Sequence, residues 1–120
     1  MTELNLQMDS GKIAGFIPGN TKIGKGNIAS NEEHIGFQVW SDASRIDTRP
    51  NSYIIKGKGE NTNNLRVRIE NESWVPFNKD QGGIITKTKE NNSNFYIITD
   101  GDQYIISDSY TLELKGKLLF

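Results

Sequence analysis

Residues 110–120 alternate. Tyr110, Leu112, Leu114, Gly116, Leu118 and Phe120 fall on one side, and Thr111, Glu113, Lys115 and Lys117 on the other. A period of two places successive side chains on opposite faces of an extended strand, and it does not fit the 3.6-residue period of a helix. The same alternation opens the chain at Glu3-Leu4-Asn5-Leu6-Gln7-Met8 and returns at Leu65–Glu70, where Leu65, Val67 and Ile69 share a face. No stretch carries a helical period. The apolar set agrees: 15 Ile and 8 Thr against 3 Ala and 7 Leu suit a pleated surface better than a helix. With 13 Asn and 12 Gly the turns are well supplied. The sequence predicts an all-β fold of short strands, a sandwich or a barrel.

A length of 120 residues is one domain's worth of chain and enough to bury a core without staples. No repeat or dividing linker is visible, so residues 1–120 read as one domain. Further strands are expected at 27–32, at Ile35–Trp40 with Ile35, Phe37 and Val39 on one face, and at 52–58, 83–87 and 94–99. The segment 11–26 holds five Gly and Pro18 and reads as irregular, with a short strand near Ile23. Residues 41–50 read as a loop, and 59–64 and 100–103 as turns.

Most chemistry is excluded. Lys and Arg (14) nearly balance Asp and Glu (15), which rules out a polyanion binder working by bulk charge. No basic surface interleaved with aromatics is legible for single-stranded nucleic acid. The chain has no Cys, so disulfides, cysteine zinc sites and thiol catalysis are absent. His34, the one histidine, would have to serve any Ser–His–Asp triad. Beside Glu32 and Glu33 it reads more simply as a strand-edge residue among solvated carboxylates. Asp100 and Asp102 flank a glycine as turn residues do, and they lack the spaced ligand set of a calcium loop. Arg66 and Arg68 read as a solvated strand face rather than an anion site. Trp40 and Trp74 read as packing residues. No catalytic residue, metal site or cofactor is expected, and the chain is not read as an enzyme.

The two ends of the chain carry the functional argument. The last segment is apolar on one face, and no later residue in the sequence can pair with it. The first segment is also apolar on one face. Lying at a sandwich edge, the two leave an apolar groove and unpaired backbone groups between them, a hazard that folds normally avoid. One reading is that another chain supplies the missing strand, with main-chain hydrogen bonds holding it and alternate side chains filling the groove. The other is that the two segments pair with each other, giving a self-contained sandwich. Such a sandwich could bind carbohydrate through Trp40, Trp74 and the Asn-rich turns.

The residues from about Thr2 to Phe120 resemble the invasin (tip) subunits of Afa/Dr-type and aggregative adherence fimbriae, which the chaperone–usher pathway of Gram-negative bacteria assembles. The resemblance begins with Glu3-Leu4-Asn5-Leu6 and is sharpest at Glu33-His34-Ile35-Gly36-Phe37-Gln38-Val39-Trp40. It continues through Leu65-Arg66-Val67-Arg68, Trp74-Val75-Pro76 and Asp100-Gly101-Asp102-Gln103, and reaches Tyr110. It implies an incomplete immunoglobulin-like β-sandwich that lacks its last (G) strand, with 3–8 as strand A and 110–120 as strand F. It implies donor-strand complementation, with a groove lined by Leu4, Leu6, Leu112, Leu114, Leu118 and Phe120. The implied partners are a major pilin subunit giving the donor strand, a periplasmic chaperone, an outer-membrane usher and a host-cell receptor. No nucleic acid or cofactor is implied. Export through the periplasm to a fimbrium on the bacterial surface follows.

Four expectations accompany the resemblance. Almost nothing precedes Glu3, so the chain is expected to accept a strand without donating one, which places it at a fimbrial tip. The family's usual disulfide would fall near Ser30 and Leu118, neither of them Cys, so the terminal strand is expected to be looser. A looser strand exchanges between copies, and a strand-swapped homo-oligomer is expected when no donor is present. Receptor contact is assigned to the exposed loop 41–50 with Arg45 and Arg49. No Arg-Gly-Asp tripeptide is present.

Overall fold

The computed structural model describes residues 2–8 and 14–120. Twelve strands follow one another: β1 (Thr2–Met8), β2 (Gly15–Ile17), β3 (Lys22–Ser30), β4 (Gly36–Ser41), β5 (Ser44–Arg45), β6 (Ser52–Lys56), β7 (Asn64–Glu70), β8 (Val75–Pro76), β9 (Ile84–Lys87), β10 (Asn92–Thr99), β11 (Gln103–Ile105) and β12 (Leu114–Leu119). No helix occurs among the described residues. One sheet has the order β1-β3-β10-β7-β6-β5, the second β12-β4-β9-β8, and β11 pairs with β2 in a small third sheet. Every pairing is antiparallel.

The two larger sheets pack face to face. Ile28, Val67, Ile69, Phe95 and Ile97 from the first meet Phe37, Val39, Ile84 and Leu118 from the second in one core. The alternation at β7 behaves as expected, with Leu65, Val67 and Ile69 buried and their neighbours half-exposed. Tyr53 on β6 crosses between the sheets: its hydroxyl accepts from Ser41 N at 3.2 Å and donates to Pro50 O at 3.0 Å. Burial pushes that phenol above its usual pKa.

The glycine-rich stretch departs from expectation. Residues 22–30 form one long strand rather than an irregular segment followed by a strand at 27–32. Its glycines serve close packing, not turns: a Cβ on Gly26 would run into the Phe95 ring. The strand expected at 35–40 is shifted. β4 begins at Gly36 and every residue in it is buried, while Ile35 stands half-exposed outside the core. Phe37 and Val39 face the core, and Gln38, on the opposite face, is covered by the loop whose Gly82 O accepts from its Nε2 at 2.9 Å. The loop at 41–50 contains β5, which pairs with β6.

The final strand is shorter than its alternation implies. It spans Leu114–Leu119, not 110–120. Tyr110 instead forms an isolated bridge with Gly57, and its hydroxyl donates to Ile106 O at 2.6 Å. Just upstream, Asp108 grips the turn after β6. Its carboxylate accepts from Gly59 N at 2.8 Å, Glu60 N at 3.0 Å and Asn63 Nδ2 at 3.1 Å. These hydrogen bonds, the one from Gly59 N above all, hold the Asp108 carboxyl well below the usual carboxylate range.

Candidate functional site

The ends of the two large sheets meet on two flanks of the sandwich. On one, β5 and β8 are the edge strands. On the other, the edges are β1 and β12. Among the described strands, β1 pairs with β3 alone and β12 with β4 alone. No hydrogen bond joins β1 to β12 among the described residues, so the two segments do not close the sandwich by pairing with each other. An antiparallel edge strand presents about half of its N–H and C=O groups outward, and here two such edges approach each other on one flank.

Side chains between these edges are apolar. Leu4 and Leu6 of β1 point inward with Met8 and are half-buried against the core. On the facing edge, Leu114 is half-buried and Leu118 buried, and Leu112 is buried in the lead-in to β12. Gly116 sits between Leu114 and Leu118 on that inward face. A Cβ there would lie 2.6 Å from Ile28 Cδ1 and 3.7 Å from Leu4 Cδ2. Its bare backbone thus lets Ile28 of β3 reach β12 and brings Leu4 near the same point. Five of the six anticipated groove residues are brought together. Phe120 is not among them: it follows the end of β12 and is 84% exposed. The strand stops at Leu119, whose carbonyl accepts from Ile35 N at 2.8 Å.

Ser30 and Leu118 are both buried, each two positions beyond the approach of Ile28 to Gly116. Ser30 Oγ accepts from Glu32 N at 3.1 Å.

The loop arginines have structural partners. Arg45 Nη2 donates to Gln81 O at 2.7 Å, and Arg49 pairs with Asp100 at 3.0 Å while remaining 48% exposed. Gly83 N donates to Pro50 O at 2.8 Å. The contacts of Arg45 with Gln81 and of Pro50 with Gly83 stitch the β5 end of one sheet to the loop following β8 in the other, while Arg49 pairs within its own sheet.

The remaining chemistry-bearing residues are accounted for in the same way. His34 is buried rather than at an exposed strand edge. Its Nδ1 lies 2.6 Å from Glu32 O and its Nε2 2.8 Å from Glu90 O, while its ring packs on Phe37. Asp100 pairs with Arg49 and Arg68, and Asp102 Oδ1 accepts from Gly19 N at 2.7 Å. Arg66 donates to the Asp102 carbonyl, and Arg68 is held by Glu70, Thr99 O and Asn20. The solvated face expected for these two arginines is instead a bonded network. Trp40 and Trp74 are both buried, and Trp74 Nε1 donates to Asn94 O at 2.9 Å, so neither ring can serve as a platform for sugar. No metal-binding cluster exists among the described residues.

Sequence reasoning missed the third sheet, where Phe16 and Tyr104 stand opposite each other and both are exposed. Three-residue strands leave too little periodicity to read.

Comparison with known proteins places this geometry. Residues 13–116 match the family model for the Enterobacteria AfaD invasin protein. The chain is 30% identical over 115 residues to protein AfaD of Escherichia coli, covering 95% of this chain and 77% of that protein. It is similar in structure to the Salmonella SafD adhesin, with a TM-score of 0.94, 28% identity and coverage of 98% and 84% of the two chains. It is also similar to HdaB, the minor tip subunit of the E. coli Hda pilus, with a TM-score of 0.89, 28% identity and coverage of 98% and 82%.

Proposed function

The chain belongs to the enterobacterial AfaD invasin family of surface-displayed fimbrial subunits, and from that premise we propose that the gap between β1 and β12 receives a guest strand from another subunit. The family fold is the immunoglobulin-like sandwich of fimbrial subunits, and the chain is a minor, tip-type subunit and adhesin. The observation that carries the strand-receiving reading is the pair of facing, unpaired edges with Leu4, Leu6, Leu112, Leu114 and Leu118 between them. A guest in extended conformation satisfies both rows of backbone groups and buries alternate side chains on this floor. Each large apolar side chain so buried contributes roughly 1.5–3 kcal/mol.

In this reading a major pilin subunit supplies the strand in the fibre. A periplasmic chaperone supplies one during export, and the subunit then passes through an outer-membrane usher. Host-cell attachment uses exposed loops, including 41–50 with Arg45 and Arg49. Without a guest, copies exchange β12 and form strand-swapped oligomers.

The test is a synthetic peptide of alternating apolar residues, added to the isolated protein. Thermal melting, light scattering and amide exchange are followed together. The expected result is a large rise in Tm, slowed exchange in β1 and β12, and conversion of oligomers to a one-to-one complex. An unchanged Tm with exchange in β1 and β12 unaffected by any such peptide overturns the reading.

A further inference from the structure

The solvent face of the six-stranded sheet carries a polar hollow, and the strand register builds it. Asn27 of β3 stands between Asn5 of β1 and Asn94 of β10, and Lys25 stands between Gln7 and Tyr96. Two cross-strand rows result, one of three amides and one of an amide, an ammonium and a phenol. Between them lies an open hollow of about 370 Å³, lined by these six residues together with Leu6 and Gly26. These residues are far apart in sequence, and only the pairing of three strands brings them together.

Part of the hollow is held rigid. Asn27 Nδ2 donates to Asn94 Oδ1 at 2.8 Å. The Asn94 carbonyl is fixed in turn by Trp74 Nε1 at 2.9 Å and Asn71 Nδ2 at 3.0 Å. Lys22 Nζ sits 3.9 Å from the centroid of the Tyr96 ring. Lys22 lines the neighbouring depression and not this one, while Tyr96 lines both. The other part is left unpaired: the side chains of Asn5, Gln7 and Lys25 have no hydrogen-bond or ionic partner among the described residues. No carboxylate lines the hollow.

We infer that this hollow binds a pyranose sugar bearing a carboxylate, as found in acidic cell-surface glycans. Amide groups offer donors and acceptors to ring hydroxyls without imposing a charge. The Tyr96 ring in the lining offers an apolar surface to the C–H face of a pyranose. Lys25, the one charge in the lining, pairs with the sugar carboxylate in a charge-assisted hydrogen bond. Preformed rows spare the ligand much of the ordering cost of binding. The inference goes beyond the strand-receiving reading and does not rest on it, because the hollow lies on the outer face of the sheet and the groove opens between its inner face and the second sheet.

The test is NMR titration of the protein with four probes: N-acetylneuraminic acid, glucuronic acid, galactose and acetate. The acidic sugars are expected to shift the amide signals of residues 5–7, 25–27 and 94–96, and galactose to do so more weakly. Lys25→Ala, at an exposed position where folding is not at stake, is expected to weaken acidic-sugar binding about tenfold. Tyr96→Ala is expected to weaken acidic sugars and galactose alike. Absence of any shift with either acidic sugar overturns the site. Equal shifts with acetate overturn the sugar, and binding unchanged by Lys25→Ala overturns the carboxylate. Loss of peptide binding in the groove with sugar binding intact separates failure of the first reading from failure of this one.

Discussion

At the β5/β8 flank the edge strands have two residues each, one of them Pro76, and Arg45, Gln81, Pro50 and Gly83 bridge the two sheets by hydrogen bonds. At the β1/β12 flank the edges run for seven and six residues, hold no proline, and no bridge connects them among the described residues. Short strands, proline and covering loops are the usual means of blunting an edge. One molecule therefore applies these devices at one side of its core and omits them at the other. A chain that merely folded poorly would show no such asymmetry. The difference teaches that an open edge has to be judged against the other edges of the same sandwich.

The sharpest way to break this comparison is to truncate one residue on each flank. Leu118→Ala removes a buried side chain beneath the open edge and is expected to cost about 2–5 kcal/mol in urea unfolding. Val75→Ala, at a position 55% exposed on the blunted edge, is expected to change stability by no more than about 0.5 kcal/mol. Equal costs would mean that the two flanks are packed alike. A smaller effect is expected from Arg45→Ala, which cuts one stitch and costs about 0.5–1 kcal/mol, since the bond is solvent-exposed. If the stitches are what blunt that flank, the variant should also show new concentration-dependent association in light scattering.

The smallest effect concerns pH. Asp108 has a depressed folded pKa, so its clamp stabilises the protein fully above the unfolded carboxylate value of about 3.9. That contribution fades as acid carries the pH below this value. Melting of the wild type and of Asp108→Ala, compared across pH, is expected to differ by a constant amount above about pH 5 and to converge in stronger acid. A difference that persists undiminished in acid would show that the clamp is not ionic.

Much of this architecture was legible because period two survives wherever one face is wet and the other dry. Leu65, Val67 and Ile69 show it, as do Leu4 and Leu6. It failed at β4, where Gln38 is as buried as Phe37 and no polar face marks the boundary of the strand. It failed at β3, where Gly24 and Gly26 carry no side chain from which to read a face and are present because Met8 and Phe95 pack on them. At 110–113 the pattern continued but the ladder did not, since Tyr110 is drawn off to Gly57 and Ile106. The apolar faces of the two edges were visible as two stripes at opposite ends of the chain. The amide rows were not, because Asn5, Asn27 and Asn94 become neighbours only through register.

The grip of Asp108 on residues 59–63, with the Tyr110 bridge beside it, fixes the chain a few residues ahead of β12. A ribbon moored at one end sweeps only a small volume when its far end comes away. Should the last strand peel off while a visitor is arriving or leaving, its local concentration at its own berth stays high and re-docking is a short-range event. In the proposed strand-receiving function, exchange at this flank thus proceeds as a sequence of small detachments, with the body of the sandwich left standing throughout.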